Sequence, residues 1–326
     1  MRFVLLTTAL FLMAAPIQAD EPVKIIFDTD IESDVDDVGA TAVLHALANR
    51  GEAEILAMGV SATYEWSAPC LDALNTFYQR PDIPIGVVKG PGAGSNKSKY
   101  AKTIANEFPR SIKPSQELPS AAILYRRILA EQPDNSVVMV SVGFLTNFAD
   151  LLKTSADQYS RLNGIQLVRK KVSTWVCMGA HYPKGREWNV FKDADASIHA
   201  ISNWPTPIVF SGFEIGREVM TGAGLKVLAK DWPVRRAYEL YNGITNRQSW
   251  DQTAVLYAVR GLKGQLDDFW DVGSGGCMQI NKDGSSVWNA DSPCRHSYLI
   301  RKMPPAEVAR RIELLMMESP QIATTK

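Results

Sequence analysis

The sequence has no excess of either charge: across 326 residues, 35 Lys and Arg balance 35 Asp and Glu. Without a basic stripe it lacks the electrostatic footprint of a nucleic-acid-binding protein. Cysteine is scarce, with four in all, and no pair has the C-x-x-C spacing of a structural zinc site. The glycines of residues 90–118 do not follow G-x-x-x-x-G-K-[ST], which argues against a nucleotide P-loop. There is no internal repeat and no low-complexity tract. Beyond the first twenty residues no apolar run approaches the ~18 residues of a membrane span.

The first twenty residues differ from the rest. Arg2 gives a positive start, an apolar stretch covers residues 3–15, and Ala19 places a small residue before a cut. This is the pattern of a secretory signal peptide, residues 1–19. Cleavage leaves 326 − 19 = 307 residues, with 34 basic against 35 acidic side chains and a net charge of −1. The expected location is the periplasm or outside the cell, with no membrane contact after cleavage. That length suits one large domain, residues 20–326.

Apolar strand-like runs alternate with helical patterns through most of the chain. The strand runs fall at residues 24–28, 55–61, 85–88, 137–142, 174–178 and 207–211. Helical patterns fall at 36–50, 68–79, 120–131, 147–152 and 194–202. This alternation predicts an α/β fold: a mainly parallel open sheet with helices on both faces. After Ser211 the pattern turns helical (225–229, 235–246, 252–260). A β-hairpin follows, 278–280 and 286–288 around Asp283-Gly284, and then a last helix at 306–317. No clean linker separates this helical and hairpin subregion. Residues 90–118 form a long Gly/Pro/Ser/Lys-rich connection, read either as a flap near the site or as a plain surface loop. Cys277 and Cys294 flank the hairpin, where pairing of the strands would bring them close enough for a disulfide. Cys177 reads as a buried thiol, and Cys70 has no obvious partner.

The densest chemistry lies at one strand-to-helix junction, where Asp28, Asp30, Glu32, Asp34, Asp36 and Asp37 crowd within ten residues. Acids near a helix N-terminus complement its dipole, but that explains only one or two of them. In open α/β sheets, ligands bind at the carboxyl edge of the strands. Crowded carboxylates there suit a hard cation such as Ca²⁺ or Mg²⁺. Three further segments share this strand-end character. Val140 to Asn147 ends a strand in a glycine turn. Met178-Gly179-Ala180 leads to Glu187-Trp188-Asn189, whose two polar side chains would point the same way in an extended stretch. Ser249-Trp250-Asp251 opens a helix, with Asp251 a good N-cap in any case.

In order, these four segments resemble the inosine–uridine-preferring nucleoside hydrolase family. The acidic cluster is similar to its Asp-x-Asp-x-x-x-Asp-Asp signature, Gly143 to Asn147 to its Gly-x-Leu-Thr-Asn run, and Met178 to Asn189 to its Met-Gly-Gly and Glu-x-Asn elements. Trp250-Asp251 matches its late His-Asp. The resemblance implies a Ca²⁺ ion held by Asp30, Asp37, Asp251 and the Val142 carbonyl. It implies ribose hydroxyls held by Asp36, Glu187 and Asn189, with Met178 beneath the sugar. The implied reaction is hydrolysis of the N-glycosidic bond of a ribonucleoside or related N-riboside, with Asp30 as general base, in a chain that forms homo-oligomers as the family often does. Two departures stand out. The acidic motif is two residues longer, leaving Asp34 and Asp36 to compete for one role, so Asp34 is a further candidate ligand. The family histidine is replaced by Trp250, which can stack on a base but cannot protonate it. His181 is the one nearby histidine that could substitute.

Two other readings fit parts of the pattern. A haloacid-dehalogenase-type phosphohydrolase would use Asp28 as nucleophile with Mg²⁺, but these motifs carry no basic residues for a phosphate. A periplasmic calcium-dependent nucleoside- or sugar-binding protein would use Trp250 for stacking without turnover.

Overall fold

The computed structural model describes residues 21–266, 268–292 and 294–320; the predicted signal segment 1–19 lies outside them. Twelve strands occur among these residues, β1 (Val23–Thr29), β2 (Ala53–Val60), β3 (Ile85–Val87), β4 (Val137–Ser141), β5 (Val172–Met178), β6 (Lys184–Gly185), β7 (Ile208–Ser211), β8 (Met220–Thr221), β9 (Arg247–Gln248), β10 (Trp270–Ile280), β11 (Ser286–Asn289) and β12 (His296–Arg301). Ten of them form one sheet in the order β3-β2-β1-β4-β5-β7-β12-β10-β11-β6. From β3 to β12 every pairing is parallel. The β10, β11 and β6 edge is antiparallel.

Alternation along the strands explains why both faces are covered. Ile25 and Phe27 of β1 enter one apolar core, while Ile26 enters the other. Val138 and Val140 of β4 share the first core, and Val137 and Met139 the second. A strand buried on both sides reads as a continuous apolar run, as in parallel sheets covered by helices. The predicted mainly parallel open sheet is therefore the observed one. β1 and β4 are neighbours although β2 and β3 intervene in the chain, so the strand order reverses between them. A crevice opens at such a switch point, at the carboxyl ends of the strands.

Several sequence expectations need correction. The 225–229 segment is a 3₁₀ turn, Ala223–Val227, not an α-helix. The long connection 90–118 contains a helix, Ala101–Glu107, and residues 164–171 form another that the apolar pattern left unread. The 278–288 hairpin is present, but its first strand begins at Trp270, and β12 slots in parallel to β7 to join the hairpin to the main sheet. Glu187 and Asn189 do not lie in one extended stretch. Glu187 caps the short helix Trp188–Lys192, and Asn189 is already within it. Cys277 and Cys294 are joined in a disulfide, and Cys70 and Cys177 are buried free thiols. No helix among the described residues is long and apolar enough to cross a membrane.

Candidate functional site

Two helix N-termini and two strand ends meet at the switch point. The helix Asp36–Asn49 follows β1 and packs against the helix Trp250–Arg260. Gly39 permits that contact, because a Cβ there would lie 2.3 Å from Gln252 Nε2. Close packing carries Asp36 and Asp37, in the first turn of one helix, to Asp251, in the first turn of the other. At β4, Gly143 plays the matching part: a Cβ there would stand 2.4 Å from the Asp30 backbone nitrogen.

The carboxylates of Asp36, Asp37 and Asp251 each offer an oxygen within 4.8 Å of the other two. All three are buried, and so is Asp30. Thr29 Oγ1 donates to Asp37, and the Asp251 N–H reaches Asp36 Oδ2 at 3.4 Å. Burial raises the pKa of each of these carboxyls well above the ordinary carboxylate range, and their neighbours' charges add to it. For Asp30 the largest such neighbour is Asp36, for Asp37 it is Asp30, and for Asp251 it is Asp36. The partial positive ends of two helices offset only part of this repulsion. A buried all-oxygen set with unrelieved like charge is the donor chemistry that a hard divalent cation fits.

Around the acids is a cleft of about 530 Å³. Met178 and Asn189 lie on its lining, and the Asn189 amide donates to the Val142 carbonyl at 3.0 Å and to Met178 Sδ at 3.3 Å. Glu187 also lines it. Its two carboxylate oxygens accept the Asn189 and Val190 N–H groups at 2.8 and 3.1 Å, and burial pushes its carboxyl up to about 7. Trp250 and Phe213 stack with ring centroids 5.3 Å apart, and the indole N–H donates to the Phe213 carbonyl at 2.8 Å.

The structure thus brings Asp30, Asp36, Asp37, Val142, Met178, Glu187, Asn189, Trp250 and Asp251 to one cleft. Asp36, assigned to ribose on the motif, stands within the carboxylate trio. Asp34, the further candidate ligand, also lines the cleft and forms an ion pair with Arg247. His181 does not line the cleft. Its backbone N–H is tied to Ser286 Oγ at 3.0 Å on the hairpin, and its ring packs 5.2 Å from Phe213. Asp28, the nucleophile of the phosphohydrolase reading, is fully buried off the lining, held by Tyr125 and by Asn147 at 2.8 Å.

Phe213, Tyr241, Arg186 and Arg247 line the cleft without having been singled out from the sequence. Phe213 and Tyr241 sit at the ends of helices and Arg247 in a two-residue strand, and single residues of this kind carry no periodic signal. Only the position of Arg247, four residues before Asp251, could have drawn notice. Ser95 brings the 90–118 connection to the cleft rim, where Glu32 accepts its N–H at 2.9 Å and that of Lys97 at 3.2 Å.

A parallel sheet of this order, with acids from β1 and from a distant helix gathered at its switch point, is the nucleoside hydrolase fold. Among solved structures the chain is similar to an inosine–guanosine nucleoside hydrolase, with TM-score 0.69 and 20% identity over 91% of this chain and 99% of that one. It is similar to a purine-preferring ribonucleoside hydrolase from Gardnerella vaginalis, with TM-score 0.65 and 18% identity over 90% and 99% of the two chains. A plant nucleoside hydrolase matches with TM-score 0.62 and 18% identity over 91% and 98%. No protein-family model and no curated protein sequence matches the chain.

Proposed function

We propose that this chain is a calcium-dependent N-glycosidase that hydrolyses a ribonucleoside or related N-riboside to ribose and free base. The observation that carries the reading is the convergence of Asp251 with Asp36 and Asp37, more than two hundred residues away in sequence, beside buried Asp30 in one cleft. The solved structures of similar fold support the same chemistry.

Asp36, Asp37 and Asp251, with Asp30 and the Val142 carbonyl beside them, would hold the ion. When bound, Ca²⁺ supplies Lewis-acid polarisation and a clamp for vicinal hydroxyls. Asp30, buried on the cleft lining beside the carboxylate trio, accepts the proton of the attacking water as general base. Asn189 and Glu187 orient the ribose hydroxyls, and Met178 supports the sugar ring. The buried carboxylates stabilise positive charge that develops at the anomeric carbon as the glycosidic bond stretches. Residues 1–19 act as an export signal in the same proposal, placing the enzyme in the periplasm or outside the cell. A homo-oligomer accords with the family resemblance.

Ribose release from a panel of ribonucleosides, with and without chelator, tests this on the wild type and on Asp30→Asn. Activity that disappears with chelator, and in the variant, is the expected result. Activity that survives both sinks the mechanism. Tight nucleoside binding with no ribose after long incubation turns the reading to the binding-protein alternative.

A further inference from the structure

The cleft lining has no histidine to meet the leaving base, and the two departures from the family motif meet where one is needed. Among the described residues no histidine lines the cleft. The Trp250 N–H donates to the Phe213 carbonyl, and both Glu187 oxygens accept backbone N–H groups. Two cations remain. Arg186 is exposed, with its guanidinium 4.1 Å from the Phe191 ring and its Nε donating to the Asp283 carbonyl at 3.0 Å. Arg247 is half-buried and lies 5.1 Å from the Trp250 ring centroid.

Arg247 is held from two sides. Its Nε donates to Asp34 Oδ1 at 2.9 Å, its Nη2 donates to Asp34 Oδ2, and its Nη1 donates to Gln248 Oε1 at 2.8 Å. A guanidinium has five N–H donors. Three are used, which leaves one on each terminal nitrogen beside the indole face. Asp34 belongs to the lengthened β1 connection, and Trp250 is the residue that replaces the histidine. The extra acid therefore anchors a cation next to the position that lost its acid.

We propose that Arg247, anchored by Asp34 beside Trp250, is the catalytic group that meets the leaving base, and that the enzyme favours ribosides whose base departs as an anion. The proposal rests on the N-riboside reading above. Arginine stays charged, so it offers fixed charge and two hydrogen bonds, not a proton. The glycosidic electron pair leaves with the base nitrogen as water adds to C1. The water proton passes to Asp30 and then to solvent, and the departing anion is neutralised by solvent after release. Asp34 acts as a positioning residue.

The experiment compares kcat/KM for the best nucleoside of the panel with that for 4-nitrophenyl β-D-ribofuranoside, whose phenolate needs no help to depart. The ratio of the two constants does not depend on how much of a variant is folded. For Arg247→Gln the nucleoside value is expected to fall by about 10²-fold and the aryl riboside value by less than about fivefold, in line with losing one charge-stabilising donor group. Asp34→Asn is expected to shift the ratio in the same direction and Arg247→Lys to restore part of it, which carries the reading if Arg247→Gln does not fold. Equal losses on both substrates, or none, in an active series overturn the role of Arg247 alone. A wild type that releases ribose from no nucleoside overturns the N-riboside reading and this proposal with it.

Discussion

Gly39 and Gln252 are the point at which two helices touch, and a Cβ on residue 39 would come within 2.3 Å of the Gln252 amide nitrogen. Gln252 cannot swing clear, because it is fully buried and donates to the Tyr238 hydroxyl at 3.1 Å. The same packing brings Asp37 within reach of Asp251. Gly39→Ala is therefore expected to cost about 1–3 kcal/mol of stability, the usual penalty for overpacking. It is also expected to weaken Ca²⁺ binding, because the two acid-bearing first turns move apart. Chemical denaturation and calorimetric titration read the two effects. A variant with wild-type values in both would show that the cage does not depend on this contact.

The carboxylate trio gives stability effects of opposite sign with and without the ion. In chelator, Asp251→Asn removes one of the mutually repelling buried charges, so the variant is expected to unfold at a higher temperature than the wild type. With Ca²⁺ the order reverses. A ligand that binds only the folded state stabilises it by about 2.7 kcal/mol at a hundredfold excess over Kd, and the variant loses most of that gain. Thermal melts in chelator and in Ca²⁺ decide the matter. Equal Ca²⁺-induced shifts in the two proteins would remove Asp251 from the cage.

The parallel sheet was legible because its strands are largely apolar on both faces, and β1, β4, β5 and β7 run into Asp30, Gly143, Gly179 and Gly212 at the edge that binds ligands. The carboxylate junction was legible for a related reason: so many acids at one strand end have no packing role. What could not be read was partnership across long distances in the chain. Asp34 reads as a further candidate ligand, and only the fold reveals Arg247 opposite it. Asp36 reads as a ribose contact on the motif, and only the fold shows that the Trp250–Arg260 helix brings Asp251 beside it. β12 was missed because it is short, it ends in the exposed Ile300 and Arg301, and it owes its place to a parallel partner nearly ninety residues earlier.

Glu32 holds the 90–118 connection against the cleft. Its buried carboxylate accepts N–H groups from Ser95 and Lys97, with Ser95 bonded to both oxygens. Glu32→Gln removes the charge and leaves one acceptor oxygen. Hydrogen bonds to a charged group contribute about 1.5–3 kcal/mol, so amide exchange at residues 95 and 97 is expected to speed up by about tenfold or more. Exchange elsewhere in the sheet stays unchanged. Hydrogen-exchange mass spectrometry with peptides covering 90–100 reads this directly, and unaltered protection there would mean that the connection is held by other contacts.

His45 ties stability to pH at a point remote from the cleft. Its ring is fully buried, stacked on Tyr78 at 4.6 Å, and its Nε2 donates to Asn75 Oδ1 at 2.9 Å. Nδ1 is buried without a hydrogen-bond partner, so a second proton there would have nothing to bond. Burial accordingly lowers the imidazole pKa from 6.5 to about 3. Below pH 6.5 the unfolded chain takes up this proton and the folded chain does not, so stability falls as pH drops toward 3, by about 1.4 kcal/mol per pH unit for one proton. His45→Phe keeps a ring against Tyr78 but cannot titrate. It is expected to be less stable than the wild type at pH 7, where Asn75 loses its partner, yet to lose stability more slowly between pH 6 and 4.5. Carboxylates that titrate in both proteins cancel in the difference between the two slopes. Parallel denaturation curves at each pH, giving identical slopes, would show that His45 takes up its proton in the folded state as readily as in the unfolded chain.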